Sequence, residues 1–105
     1  MASEADEASE KLQQLLDEVR DEPTFLRFIK ALSDDWFEDR TKEERNPSSP
    51  YVPTINGWEN GTIGDYLESA HAWGKTWLDR PEENERGESP WRRAAAILYA
   101  GKYYE

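Results

Sequence analysis

The segment that decides the fold runs from Ser89 to Ala100, SPWRRAAAILYA. It opens with a serine followed by a proline, the pairing expected of a helix N-cap and the first helical residue. The stretch Ala94–Ala100 that follows is apolar on nearly all sides. A helix of this kind is covered by its neighbours, so we predict that it is the central helix and that it runs towards Tyr104.

Three further stretches carry apolar residues at the three- and four-residue spacing of a helix face. The second helix is predicted to begin at Asp21, with Pro23 in its first turn. The third is predicted to begin at Thr62, where Asp65 completes a weak capping box. No stretch alternates regularly enough to predict a sheet. The predicted faces are Leu12, Leu15, Leu16 and Val19; then Phe25, Phe28, Ile29, Leu32 and Trp36; then Ile63, Tyr66, Leu67, Ala70, Trp73 and Trp77.

Residues 40–61 separate the second and third helices and contain three prolines and two glycines, so we predict no regular helix there. A link of about 20 residues inside a compact domain is usually either functional or disordered. We predict that residues 1–8 form an acidic, disordered tail. Residues 9–105 are then a single all-α domain, a bundle of about four helices with a long Pro-rich loop between helices 2 and 3.

The composition indicates a small core built from aromatic rings. Leu, Ile, Val and Phe make up 17 of the 105 residues, and 23 acids against 13 bases give a net charge of −10. Such values approach those of disordered chains, but the chain has five Trp and five Tyr, and each large ring buries about 150–250 Å². The acidity disfavours direct binding to nucleic acid and to anionic membranes.

The termini and the apolar runs predict a cytoplasmic protein, with a bacterial cell as the default setting. No apolar run approaches the roughly 18–20 residues that cross a bilayer. The first ten residues, MASEADEASE, carry four acids and no base, unlike a signal peptide. The chain has no cysteine, which excludes disulfides and thiolate metal sites.

Candidate catalytic and metal-binding residues are few. His71 is the single histidine, and there is no cysteine nucleophile or nucleophile elbow to work with it. Glu68 and His71 have the spacing of a helical metal motif, but a di-iron bundle needs that motif on two helices. We therefore predict no catalytic residue, no metal and no cofactor, and we expect that the protein is not an enzyme.

The acids of the second helix are expected to be solvated. They lie mostly off its predicted apolar face, and paired acids at helix ends are usually surface groups. These acids are Asp34, Asp35, Glu38 and Asp39.

Four motifs in the second half resemble a family of small, uncharacterised bacterial domains. That family has the patterns W-E-N-x-T, Y/F-L-E-x-x-x-A-W, P-x-W and G/A-K-x-Y-E. The resemblance covers residues 56–105 well and the first half loosely. It implies no activity, because the family is a domain of unknown function. The matching residues are Trp58-Glu59-Asn60-x-Thr62, Tyr66-Leu67-Glu68-Ser69-x-x-Ala72-Trp73, Pro90-Trp91-Arg92 and Gly101-Lys102-x-Tyr104-Glu105.

The leading hypothesis is a non-catalytic module that binds another macromolecule. The partner expected is a protein with a basic surface, and the role is that of a regulator, an accessory subunit or an immunity-type inhibitor. The chain itself is expected to be a monomer or a weak homodimer. The expected partner-binding residues are Tyr51, Trp58, Glu59, Arg92 and Tyr104.

Two alternatives stay open. An acidic nucleic-acid mimic would present the carboxylates of the first two helices as one stripe in a basic groove. A small-ligand binder or enzyme would use the neighbourhood of Trp58, Trp73 and Trp91 together with Glu68 and His71. It requires a pocket of about 300 Å³ or more lined by these side chains, whereas the plainer interpretation places the rings in the core.

Overall fold

A computed structural model describes residues 4–78 and 89–104. Within these ranges the chain forms helices and no strand, which confirms the predicted all-α class and the bundle of about four helices. None of the helices in the described ranges combines the length and apolar character needed to cross a bilayer. The helices are α1 (Glu4–Asp17), α2 (Glu22–Arg45), α3 (Ile63–Leu78) and α4 (Pro90–Tyr103).

The predicted starts of α2 and α4 are confirmed by their caps. Asp21 caps α2, because its carboxylate accepts from the Thr24 N–H at 3.0 Å while the Thr24 hydroxyl accepts from the Asp21 N–H at 3.1 Å. Ser89 caps α4, and its hydroxyl accepts from the Trp91 N–H at 3.2 Å. In both helices a proline occupies the first turn, where it removes no helical hydrogen bond.

Two predicted boundaries differ from the structure. The prediction that residues 40–61 contain no helix is wrong for residues 40–45, since α2 continues to Arg45. Nothing before Pro47 opposes the helix, and Lys42 and Arg45 suit its C-terminal end. At the other end of the chain, α1 begins at Glu4, so residues 4–8 of the predicted tail are helical.

The core forms where α1, α2 and α4 meet. As predicted, α4 is central: it packs against each of the other described helices, whereas α3 packs against α4 alone. The side chain of Trp77, the link 79–88 and Glu105, which belonged to the predictions, lie outside the described residues. The buried apolar core consists of Leu12, Leu16, Val19, Phe28, Leu32, Trp58 and Ala95.

The contact between α3 and α4 is close because of one glycine. A Cβ atom at Gly101 would lie 2.8 Å from the Tyr66 ring, which is closer than real Cβ contacts. The Tyr66 hydroxyl donates to the Leu98 carbonyl at 2.7 Å and so holds the ring against α4. Gly101 therefore sets how closely the two helices approach.

The predicted apolar face of α3 is only partly buried. Tyr66 and Ala70 turn towards the protein, but Ile63 is 80 % exposed and Leu67 is 56 % exposed. The prediction that these two residues pack inwards is wrong because, among the described helices, α4 alone packs against α3 and covers only one side of it.

Candidate functional site

The centre of the molecule contains a buried ion pair between α2 and α4. Lys102 is fully buried, and its Nζ atom lies 2.8 Å from Oδ2 of Asp35, a residue that is 7 % exposed. The same oxygen accepts from the Trp58 indole N–H at 2.8 Å, and Oδ1 accepts from the Asn56 amide at 3.0 Å. A buried carboxylate needs such partners to offset its lost hydration. Asp35 therefore joins α4 and residues 56–58 to α2.

A second buried acid holds the same segment. Asp39 is fully buried, and its Oδ1 atom accepts from the Asn56 backbone N–H at 2.9 Å. Its Oδ2 atom accepts from the Arg40 guanidinium at 2.8 Å. The Asn56 side-chain oxygen accepts from Lys42 at 3.0 Å, so this asparagine is bonded through its backbone and both ends of its amide. We call Asp35, Asp39, Asn56, Trp58 and Lys102 the buried polar network.

The prediction that Asp35 and Asp39 are solvated is therefore wrong. Both follow Phe28 and Leu32 at helical spacing, so they continue the buried face of α2. The predicted face continues from Leu32 to Trp36 and leaves both acids outside it. Their position on the helix was the better guide.

Glu43 fastens the first part of the α2–α3 connection, residues 46–62. Its carboxylate accepts from the backbone N–H and the hydroxyl of Ser48, both at 2.7 Å, and from the Ile55 N–H at 3.0 Å. The hydrogen bonds from Ser48, followed by the one from Ile55, lower the pKa of Glu43 below its ordinary value. The charged form of Glu43 thus holds this part of the connection.

The last part of the connection is fastened to the end of α4. The Asn60 amide donates to the carbonyls of Gly101 at 2.8 Å and Tyr104 at 3.0 Å. The Glu59 backbone N–H donates to the Lys102 carbonyl at 3.0 Å. These bonds satisfy carbonyls that a helix C-terminus otherwise leaves without partners. The connection is therefore docked at both ends.

Above the buried polar network lies an open cleft of about 320 Å³, which we call the aromatic cleft. Trp36 and Trp58 meet edge to face in its wall, with ring centroids 5.1 Å apart, and Tyr66 tilts against Trp58 at 6.1 Å. Residues 60–63 form the rim. Such an arrangement suits the binding of an apolar group.

The cleft has little capacity for acid–base chemistry. Tyr66 is the single titratable side chain among the described residues that line it. Burial raises the pKa of Tyr66 to about 12, so its hydroxyl stays protonated and donates to the Leu98 carbonyl. The described lining therefore offers no general base at neutral pH.

Of the five predicted partner-binding residues, three meet at one end of α4. Trp58, Glu59 and Tyr104 lie at its C-terminal end, where Asn60 and Glu59 bond to the helix carbonyls. Trp58 faces inwards at 7 % exposure, Glu59 is exposed and Tyr104 is half-buried.

The two other predicted residues lie elsewhere. Arg92 belongs to the N-terminal end of α4, where its guanidinium lies 3.0 Å from the Asp17 carboxylate of α1. Tyr51 belongs to the α2–α3 connection and is 94 % exposed. The structure thus brings three of the five residues together.

The tryptophans of the small-ligand alternative do not share one cavity. Trp58 lines the aromatic cleft, whereas Trp73 lines a separate groove of about 440 Å³. Trp91 packs against Phe25, with ring centroids 5.4 Å apart. Glu68 and His71 are both exposed on α3. Within the described part of the chain, no three acids or histidines come together as metal ligands do.

Sequence reasoning missed Asn56 and Lys102 as site residues. Asn56 precedes Gly57, whose φ of 88° gives the turn that brings the asparagine onto α2, and an Asn-Gly pair is a known turn signal. Lys102 follows a long apolar run, which is an unusual setting for a lysine. Its pairing with Asp35 depends on helix packing and has no local signal.

Fold and site together define a small all-α domain whose α2–α3 connection is clamped to a buried polar network. The chain belongs to a family of unknown function, DUF7660, whose model matches residues 21–105. The match begins at the N-cap of α2 and includes the whole network, whereas α1 lies before it. No curated protein and no solved structure matches the chain.

Proposed function

We propose that the protein is a non-catalytic module that binds another protein through the aromatic cleft and the adjoining face of α3. The observation that carries this proposal is the exposure of Ile63 and Leu67, at 80 % and 56 %, one helical turn apart beside the cleft. Large apolar side chains grouped at an open concavity are typical of interaction sites.

Among residues 4–78 and 89–104, no element covers the side chains of Ile63 and Leu67. Ile63 stands at the start of α3, about 22 Å along the helix axis from Leu78 at about 1.5 Å per residue. The chain leaves α3 at that distant end and returns at Ser89, next to the carbonyl of Arg20. Leu78 therefore lies at the opposite end of α3 from Ile63.

The walls of the cleft are already held in place. The Trp58 indole is bonded to Asp35, and Trp36 packs against Trp58 and beneath the Arg40 guanidinium at 4.5 Å. A surface that is rigid before binding loses less conformational entropy when a partner docks. This rigidity supports a binding role for the face.

The net charge of −10 supports a partner with a basic surface, since opposite charges speed encounter. A cytoplasmic regulator, accessory subunit or immunity-type inhibitor that is monomeric until it meets its partner fits these features. Nucleic-acid mimicry fits less well. Asp35 and Asp39 face inwards, and the exposed acids Asp34 and Glu38 pair with lysines on the same helix.

A small apolar ligand is the second candidate occupant. The observation in its favour is the volume of the aromatic cleft, about 320 Å³, together with its two indole walls. Ligand pockets start at about 300 Å³, so the cleft has room for a compact molecule. A protein partner is favoured because the exposed apolar surface continues beyond the cleft to Leu67.

Affinity purification with matched baits tests the proposal. The baits are the wild-type chain, Ile63→Glu at the rim of the cleft, and Leu26→Glu, which charges another exposed apolar residue, on α2. With cells of the source organism at physiological salt, we expect a protein that wild type and Leu26→Glu retain and Ile63→Glu loses. Retention of the same proteins by all three folded baits, or of none by wild type, contradicts the proposal.

A further inference from the structure

We infer that Asn60 is a site of spontaneous deamidation, and that the reaction releases the last part of the α2–α3 connection from α4. The inference goes beyond the proposed function and does not rest on it. It follows from a comparison of the two Asn-Gly pairs of the connection, Asn56-Gly57 and Asn60-Gly61. The two pairs have the same chemistry and different surroundings, so one serves as the control for the other.

Deamidation of such a pair is a reaction between the asparagine side chain and the next backbone nitrogen. At Asn60, the Gly61 nitrogen bonds to the side-chain carbon Cγ, and the bond from Cγ to Nδ2 breaks. The Gly61 N–H proton leaves with Nδ2 as ammonia. The cyclic imide that results takes up one water molecule and opens to aspartate or isoaspartate. Glycine favours the attack, because it has no Cβ atom to hinder it and its backbone moves freely.

The pair at Asn56 is protected from this reaction. Asn56 is fully buried, and its side-chain amide is bonded at both ends, to Asp35 at 3.0 Å and to Lys42 at 3.0 Å. The attacking nitrogen is held as well, since the Gly57 N–H donates to the Thr54 carbonyl at 2.8 Å. The reaction therefore requires the connection to open and water to enter.

The pair at Asn60 is more accessible. Asn60 is half-buried and Gly61 is exposed, and neither belongs to a helix. Among residues 4–78 and 89–104, no group accepts a hydrogen bond from the Gly61 N–H. Only the two bonds from Asn60 Nδ2 to the end of α4 oppose the attack, so we expect this pair to react first.

Deamidation reverses the interaction between Asn60 and the end of α4. The Nδ2 group donates to the carbonyls of Gly101 and Tyr104, at 2.8 and 3.0 Å. A carboxylate has no N–H to donate and repels these oxygens, at the helix end where the dipole disfavours an anion. The product therefore loses its anchor on α4. Because Asn60 and Gly61 line the aromatic cleft, the reaction also changes the rim of the cleft.

Tandem mass spectrometry of the folded chain, aged at mildly alkaline pH, tests which asparagine reacts. Asn60 should deamidate at least about tenfold faster than Asn56, and the two should react at similar rates in guanidinium chloride, where the fold is lost. Gly61→Ala is the matched variant, since its Cβ atom meets no heavy atom within 4 Å. It should slow the reaction at Asn60 about tenfold and leave the rate at Asn56 unchanged.

Hydrogen exchange of Asn60→Asp, which has the product side chain, tests the release. The Glu59 N–H donates to the Lys102 carbonyl, and this amide should exchange at least about tenfold faster than in wild type. The amide of Asn56 should accelerate much less. Gln14→Glu makes the same change from amide to carboxylate on the exposed surface of α1, and it should leave both rates unchanged. Aged wild type, separated by ion exchange, gives the same measurement on a chain that folded before it reacted.

Four results overturn the inference. In the folded wild type, these are a rate at Asn56 that equals or exceeds the rate at Asn60, and no reaction at either residue while both react in guanidinium chloride. The third is a rate at Asn60 that Gly61→Ala does not lower. The fourth is exchange at Glu59 that is the same in the deamidated chain as in fresh wild type.

Discussion

Lys102 Nζ lies 2.8 Å from Asp35 Oδ2 in the interior of the molecule, although the two residues belong to helices at opposite ends of the matched family span. Each charge loses its hydration on folding, and the pair recovers that loss only with the added bonds from Trp58 and Asn56. We expect that the pair specifies how α4 lies on α2. Through Trp58 it also determines the wall of the aromatic cleft.

Removal of the buried lysine should be severely destabilising. Lys102→Met leaves the Asp35 carboxylate buried without its cation, which should lower the free energy of unfolding by about 3–5 kcal/mol. Lys30→Met is the matched control, because Lys30 pairs with Asp34 on the exposed surface of α2 and its loss should cost about 1 kcal/mol or less. Urea denaturation followed by circular dichroism measures both changes.

A second substitution separates the contribution of the ion pair to stability from that of side-chain packing. Adding Asp35→Asn to Lys102→Met removes the unpaired charge, so the double variant should be more stable than the sum of the two single changes predicts. Additive effects would show that the pair does not contribute the predicted stability. The same conclusion follows if Lys102→Met lowers the free energy of unfolding no more than Lys30→Met does.

A side chain at Gly101 should destabilise the protein, because α3 and α4 are too close to accommodate it. In Gly101→Ala the new Cβ meets the Tyr66 ring at 2.8 Å, and the ring is held by its bond to Leu98, so we expect a loss of about 1–3 kcal/mol. Gly64→Ala is the control, since no heavy atom lies within 4 Å of its Cβ position. Its stability should be unchanged or rise by up to about 1 kcal/mol. Equal effects of the two substitutions would exclude the proposed close contact.

Glu43 should make stability depend on pH in the acidic range. Its pKa is lowered in the folded state, so its contribution is complete above the ordinary value of 4.5 and is lost as the pH falls through the lowered value. The difference in Tm between wild type and Glu43→Gln should therefore be largest near neutral pH and shrink towards pH 3. Glu44→Gln changes an exposed neighbouring residue, and its Tm should differ from that of wild type by the same small amount at every pH. A difference for Glu43→Gln that is independent of pH would refute this account.

The docked connection should resist hydrogen exchange although it contains no helix. The Asn56 N–H donates to the buried Asp39 carboxylate, and the Glu59 N–H donates to the Lys102 carbonyl. These amides should exchange at least about 100-fold more slowly than the amide of Tyr51, a residue that is 94 % exposed. Exchange at one common rate along residues 46–62 would mean that the connection is not clamped.

Local signals explain what sequence analysis predicted correctly. The starts of α2 and α4 follow from Asp21 and Ser89 with the prolines beside them, because capping involves residues within one turn. The central place of α4 follows from a segment that is apolar all round and therefore needs neighbours on every side.

The incorrect predictions concern residues whose environment is set by distant parts of the chain. Asp35 is buried only because Lys102, Trp58 and Asn56 supply donors from far along the sequence. Ile63 is exposed because, of the helices that the structure describes, α4 alone packs against α3, and the apolar periodicity of α3 does not reveal this. Of the buried polar network, sequence analysis named Trp58 alone as a candidate site residue, because the other members meet only through helix packing.

The most direct test of the binding face is a titration of ¹⁵N-labelled protein with the partner protein that wild type and Leu26→Glu retain, followed by amide and indole chemical shifts. The account predicts the largest shifts at the Trp36 indole and at residues 61–68, with saturation that Ile63→Glu abolishes. Shifts confined to the surface around Leu26, or spread evenly over the helices, would contradict the claim that the aromatic cleft and the adjoining face of α3 bind the partner.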